Sequence, residues 1–361
     1  MIGHEVPPQL ARLADGRDLL LFEDEPRPPR EVVDTRDLPE RSSPSQFRYD
    51  EALDEWTIVA SHRQTRTFLP RSDECPLCPS RDGRESEVPT SDFDVAVFEN
   101  RFPALGPGDA NRPTDPKHPQ GGRAEVVVFS SDHTARLFEL SHARRRTVGR
   151  AWADRVSALS ERLDVAYVFV FENSGRDIGV TLQHPHGQIY GSPFVPNRIR
   201  TALEAARRHH DEYGGCLFCA MLEHALAGVE RVVSETEHFV AYVPQAARWP
   251  YEVHVAPRRH LPDLAALSEA ERDQAMEVYA DLLHRLDALF PEETPYIAAW
   301  QQAPVRQDRD LAHVSLQLFT TRRAPGKLKY LAGSESALGV FVNDIPPDDA
   351  AARLRELGAT P

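Results

Sequence analysis

The chain has 361 residues, enough for two domains of ordinary size or one large one. Its 41% hydrophobic and 27% charged residues fit a water-soluble globular protein, and a formal net charge of −14 argues against a broad basic face for nucleic acid. The first ten residues hold no apolar run and the longest apolar stretch, residues 165–171, is strand-sized, so neither a signal peptide nor a membrane span is expected, and a cytoplasmic location is.

Residues 1–46 read as an N-terminal arm, partly irregular, because residues 24–46 are crowded with proline, arginine and acidic side chains. A strand is expected over residues 56–60, ending in the cationic run His62, Arg63 and Arg66, which suits either a phosphate or a solvated strand end. Cys75 and Cys78 follow as a Cys-x-x-Cys pair, then a strand over residues 126–129 and His133. A helix opens near Ser141, with Val148, Trp152, Val156, Leu159 and Leu163 at helical spacing. Arg144, Arg145 and Arg146 fall on that helix and read as a solvated face. Next come a strand over residues 165–171 and the pentapeptide His184-Pro185-His186-Gly187-Gln188. The strand period places His184, His186 and Gln188 on one face.

The second half repeats this order. Cys216 and Cys219 precede a strand over residues 251–256, His260, a helix opening at Ser268 with Glu271 as capping-box partner, a strand over residues 296–300, and His313. Eight residues separate His133 from Ser141 and also His260 from Ser268, while the two histidines of each half lie 51 and 53 residues apart. These spacings imply an internal duplication. Each copy would be an α+β half, an antiparallel sheet with a long helix against it.

Disulfides are not expected without an export signal, and a redox pair is disfavoured because neither cysteine pair opens a helix after a strand. The duplication instead supplies two tetrahedral ligand sets: Cys75, Cys78, His133 and His184, then Cys216, Cys219, His260 and His313. Two thiolates offset the charge of a zinc ion, as a closed structural site requires. The second copy of the pentapeptide reads His313-Val314-Ser315-Leu316-Gln317, so the metal histidine and glutamine recur while His186 is answered by Ser315. That asymmetry marks His186 as the catalytic residue. An imidazole is a competent nucleophile towards phosphorus and leaves well when protonated, and Gln188 can donate a neutral hydrogen bond to a phosphoryl oxygen. His186 would need its far nitrogen held by a backbone carbonyl to fix its tautomer.

His-Pro-His-Gly-Gln resembles the active-site signature of the galactose-1-phosphate uridylyltransferases, in the histidine-triad superfamily. The resemblance runs from about Arg48 to Leu357. It implies two histidine-triad-like halves, residues 47–197 and 198–361 after the arm, and a structural zinc on the first ligand set, to which the duplication adds a second, for two structural zinc ions per chain. It further implies a homodimer that binds no nucleic acid and no membrane. UMP would pass from UDP-glucose through a uridylyl-histidine to galactose-1-phosphate, as part of galactose metabolism. Residue by residue, Arg63 and Arg66 match a phosphate-contact segment, Asn100 a nucleoside-contact loop, and Asn173 and Thr181 further phosphate contacts, Thr181 standing where the family usually has serine. Lys329 and Glu335 match a hexose-phosphate segment. Family members with a second metal held by one glutamate and three histidines are not followed here, because Ala202, Gln301, His313 and Ser315 align with those positions. Ser334 and Phe341 replace residues that contact the sugar, which loosens the expectation of galactose selectivity. The rivals are a transferase or phosphorylase acting on ADP-glucose or a dinucleoside polyphosphate, and a non-catalytic zinc scaffold.

Overall fold

The computed structural model describes residues 6–38, 45–65, 69–81, 83–106, 108–115 and 117–358. The chain divides into two compact units, the first comprising residues 1–170, 181–200 and 304–306, the second residues 171–180, 201–303 and 307–361.

The first unit holds β1 (Gln9–Arg12), β2 (Asp18–Phe22), the hairpin β3 (Gln46–Asp50) and β4 (Glu55–Val59), β5 (Val95–Glu99), β6 (Arg123–Val128) and α1 (His142–Glu161). It also holds the start of β7 (Tyr167–Ser174) and all of β8 (His186–Ser192). Strand order in its sheet is β1-β2-β5-β6-β8-β7, and the pairings from β1 through β8 are antiparallel. Ser141 caps α1 by accepting from the Arg144 amide, as its position predicts. Val148, Trp152, Val156 and Leu159 are buried on the face of α1 that packs on β5 and β8. Each such side chain contributes roughly 1.5–3 kcal/mol. Leu163 departs from the expected stripe: the helix stops at Glu161, and Leu163 is exposed beyond the C-cap.

The second unit carries most of α2 (Asn197–Tyr213), then α3 (Leu217–Ala227), β9 (Val232–Glu235), β10 (Phe239–Tyr242) and β11 (Val253–Pro257). After these come α4 (Glu269–Asp287), β12 (Tyr296–Gln301), β13 (Ser315–Thr320), the short pair β14 (Arg322–Ala324) and β15 (Lys327–Leu328), α5 (Gly333–Leu338) and α6 (Pro347–Glu356). Its strands run β12-β13-β11-β10-β9, all antiparallel. Ser268 and Glu271 form the expected capping box on α4, which packs on β10 and β11.

Set side by side, β5-β6-β8-β7 with α1 and β10-β11-β13-β12 with α4 have one topology. The duplication inferred from histidine spacing is therefore a duplication of fold, and the α+β class stands. Gly187 pairs with Val127 in the first copy and Leu316 with Val255 in the second, each three residues after its ligand histidine.

In the N-terminal segment, residues 9–12 and 18–22 extend the first sheet, while residues 25–38 carry no helix or strand. One expectation needs correction: Arg144–Arg146 is not simply a solvated face. Arg144 Nε donates to Asp24 and its Nη2 to Asp94, and Arg145 Nη1 donates to the Leu140 carbonyl.

Candidate active site and metal centres

A three-residue turn (Ser72–Glu74) delivers Cys75, and the Cys78 amide bonds the Cys75 carbonyl at 3.4 Å to close the loop. His133 comes from the loop after β6 and His184 from the bend before β8. Cys78 Sγ lies 3.4 Å from His133 Nδ1 and 3.5 Å from His184 Nδ1, and the four ligand atoms sit within 4.8 Å of one another. With metal–sulfur and metal–nitrogen bonds of about 2.3 and 2.0 Å, a tetrahedral site has sulfur–nitrogen edges of about 3.5 Å. The spacing fits such an ion.

The chemistry of the donors fits too. The cysteines form no disulfide, and burial pushes the Cys75 thiol up to about 11 and the His184 imidazole down to about 4. Without a cation this is a nest of neutral, desolvated ligands. His184 Nε2 donates to the Ser130 carbonyl at 2.8 Å, so Nδ1 keeps its lone pair for the metal.

The second unit repeats the arrangement: Cys219 Sγ lies 3.4 Å from His260 Nδ1 and 3.3 Å from His313 Nδ1, again with all ligand atoms within 4.8 Å. Burial drives the Cys219 thiol up to about 12 and His313 down to about 4. Two details differ. Cys216 and Cys219 are only partly buried, and His313 Nε2 is buried without a well-formed hydrogen bond. Cys216 is the N-cap of α3 and Cys219 lies in its first turn. The element before it is α2, so the strand-to-helix setting of a redox pair is absent.

His186 is the first residue of β8 and pairs with Val128. Its Nδ1 donates to the His184 carbonyl at 2.8 Å, which supplies the backbone anchor the tautomer argument called for and leaves the lone pair on Nε2. Burial lowers the His186 pKa, keeping the imidazole neutral. The alternation of faces begins only here. His186, Gln188 and Tyr190 are partly exposed while Gly187 and Ile189 are buried, but His184, in the bend, is fully buried and turns into the metal cluster. Tyr190 Oη donates to Gln188 Oε1 at 3.4 Å, which orients the amide so that its NH2 is the donating end.

Of the proposed contacts, the structure joins two segments. Arg63 Nη1 donates to the Phe102 carbonyl at 3.2 Å and His62 Nε2 to the Pro103 carbonyl at 2.9 Å, which docks the cationic turn on the Asn100 loop. Asn100 Oδ1 accepts from the Phe102 amide, shaping that loop. Thr181 accepts from the Leu69 amide through its carbonyl. Asn173 lies on β7, and Arg66 falls outside the described residues. Lys329 and Glu335 pair with each other at 2.9 Å, both side chains nearly buried, and Lys329 also donates to the Val342 carbonyl. The Lys329 ammonium and nearby backbone amides hold the Glu335 carboxyl down at about 2. Ser334 donates to the Val340 carbonyl, and Phe341 packs edge-on against Trp249.

Sequence reasoning passed over Glu172, whose only signal is a carboxylate closing an apolar strand run. It is buried on β7 and accepts from the hydroxyls of Tyr279 and Tyr296. Burial raises it to about 7, against the opposing pull of the tyrosine bonds. An unfolded glutamate titrates near 4.3, so between those values the unfolded chain has lost a proton that the folded chain keeps. Stability therefore falls as pH rises through this window, by roughly 3 kcal/mol, and the loss is complete above it. Glu172→Gln is expected to gain on the wild type progressively from about pH 4.5 to 7 in denaturant titrations. A pH-independent difference between the two proteins would refute this.

Comparison with known proteins settles the family. Residues 36–196 match the N-terminal domain model of galactose-1-phosphate uridyl transferase, and residues 202–360 match its C-terminal domain model. The chain belongs to the galactose-1-phosphate uridylyltransferase family. A galactose-1-phosphate uridylyltransferase of Streptomyces lividans is 43% identical over 96% of both chains. That of Thermotoga maritima is 37% identical over 86% of this chain and 98% of its own. A solved uridylyltransferase structure superposes with a TM-score of 0.76 at 30% identity, covering 86% of this chain and 98% of that one. Among the described residues, no helix is long and apolar enough to cross a membrane.

Proposed function

We propose that the chain is a UDP-glucose:hexose-1-phosphate uridylyltransferase working by double displacement, with galactose-1-phosphate as the acceptor. The observation that carries this is the His186 geometry: a neutral imidazole with Nδ1–H tied to the His184 carbonyl and its lone pair on Nε2. Nε2 attacks the α-phosphorus of UDP-glucose, the phosphorus–oxygen bond to glucose-1-phosphate breaks, and a uridylyl-histidine remains. The acceptor phosphate then attacks the same phosphorus and His186 leaves. Gln188 donates to a phosphoryl oxygen, and being an amide it can neither protonate a leaving group nor take a proton from an attacking water, consistent with an intermediate that waits for an acceptor.

Zinc is the ion proposed for both Cys2His2 sets, and with four protein ligands it would supply rigidity and not Lewis acidity. Holding His184 in the first set fixes the carbonyl on which His186 rests. Arg63, Arg66, Asn100, Asn173 and Thr181 are proposed as nucleotide contacts, Lys329 and Glu335 as acceptor contacts. An ammonium has three donors, and Glu335 and the Val342 carbonyl take two on Lys329, so one remains for a phosphate oxygen. The enzyme is further proposed to be cytoplasmic and a homodimer. Tyr330, Leu331, Leu338, Val340 and Val342 of this segment are each exposed, apolar side chains that a second copy would cover.

Release of hexose-1-phosphate from UDP-glucose against ADP-glucose tests the donor. We expect turnover with the uridine sugar at least about 100-fold faster, since a site built to hydrogen-bond one base strands its polar groups with another. Equal or faster turnover with ADP-glucose would overturn the uridylyl assignment.

A further inference from the structure

Residues 1–35 precede the stretch matched by the N-terminal family model. They nevertheless place a fully inaccessible arginine side chain in the first unit. Arg17, in the turn between β1 and β2, has 0% side-chain exposure. Its Nε donates to Asp15 Oδ2 at 2.7 Å, its Nη1 to the Glu99 carbonyl at 2.7 Å and its Nη2 to Glu87 Oε2 at 2.6 Å.

Two of those partners lead to the candidate site. Glu99 ends β5 and is followed by Asn100, whose amide donates to the Ala124 carbonyl at 2.8 Å and whose side chain shapes the loop that receives Arg63 and His62. Glu87 donates its amide at 2.9 Å to the carbonyl of Pro76, inside the Cys75–Cys78 loop. Arg36 grips the other oxygen of Glu87 at 2.8 Å. A guanidinium is a rigid planar fork, so acceptors on two of its arms are held at a set separation. A lysine ammonium has three donors, but on a flexible stem they fix no separation between the acceptors.

We propose that Arg17 is a positioning residue for nucleotide binding, setting the Asn100 loop against the loop that carries Cys75 and Cys78. The proposal rests on the functional reading above in taking Asn100 as a nucleotide contact. It gives the N-terminal hairpin a part in the transfer without contact with substrate.

The test uses the full-length, metal-loaded chain. Arg17→Met is expected to raise the KM for UDP-glucose about tenfold or more and to leave kcat within about threefold, because misplacing a binding loop weakens binding without touching the reacting atoms. In the substrate-free protein the amides of Asn100 and Phe102 should exchange faster with solvent. Arg17→Lys keeps the charge near Glu87 but lacks the fork, so it should recover stability without recovering KM. Glu87→Gln preserves shape if Arg17→Met does not fold, and should move KM in the same direction by less.

A lowered thermal midpoint with wild-type KM and unchanged exchange at those two amides would overturn the proposal. So would full recovery of KM in Arg17→Lys. If the wild-type chain transfers nothing from UDP-glucose, the functional reading fails on its own, and exchange at Asn100 and Phe102 alone then decides the positioning.

Discussion

Replacing His186 with alanine is expected to lower kcat for uridylyl transfer by at least about 10⁴-fold, while UDP-glucose still binds within a few-fold of the wild-type affinity. The side chain lost is the nucleophile, and the next polar side chain on its face of β8, Gln188, cannot replace it. Gln188, two residues on, is an amide without a usable lone pair on nitrogen. In the duplicated half the matching place is already Ser315, on the strand at the same place in the topology. The fold should tolerate the change. His186 is partly exposed and its one anchoring hydrogen bond runs to the His184 carbonyl, so stability should fall by only about 1 kcal/mol. A folded His186→Ala protein that keeps more than about a tenth of wild-type kcat would refute nucleophilic catalysis by this residue.

Removing the metal should have the second large effect, and it should differ between the two sites. Cys78 Sγ is within 3.5 Å of both histidine nitrogens of the first cluster, and three of its four ligands are buried. Structural zinc in comparable sets contributes an apparent 10–16 kcal/mol, about as much as the whole stability of a typical domain. Cys78→Ala is thus expected to prevent the first unit from folding. Cys219→Ala, in the partly exposed cluster at the start of α3, should yield a folded protein holding one metal ion per chain instead of two.

Burial holds the Cys75 thiol at about 11 and the Cys219 thiol at about 12 when no cation is present. Below those values the metal must displace the protons of these two thiols, so affinity rises with pH and is lost as pH falls. Proton release on adding zinc to chelator-treated protein, followed by calorimetry in buffers of different ionisation enthalpy, measures this. Binding with no proton release would exclude thiolate ligation.

Much of this site was legible because its logic is local in sequence or repeated. The two Cys-x-x-Cys pairs, the serine caps Ser141 and Ser268, and the matched intervals to His184 and His313 are spacing signals, and the duplicated sheet order answers to them. What escaped depends on partners distant in sequence. Arg144 looked solvated because its helical neighbours are charged, yet its partner Asp24 lies 120 residues away. Arg17 finds Glu87 and Glu99 across 70 and 82 residues. Proline and arginine in residues 24–46 suggested an irregular arm, and composition alone could not show that the strands just before them join β5. His184 was expected on the same face as His186 because strand period was extended one step too far, into a bend. There the His184 ring joins the Cys2His2 cluster and bonds the Ser130 carbonyl, which no periodicity records.

The most direct test of the central claim is intact-protein mass spectrometry of the purified enzyme mixed with UDP-glucose and no acceptor. A mass gain of one uridylyl group per active chain is expected, with stoichiometric release of glucose-1-phosphate, discharge of the adduct when galactose-1-phosphate is added, and no gain in His186→Ala. Transfer activity without any adduct, or an adduct that persists in His186→Ala, would contradict that claim.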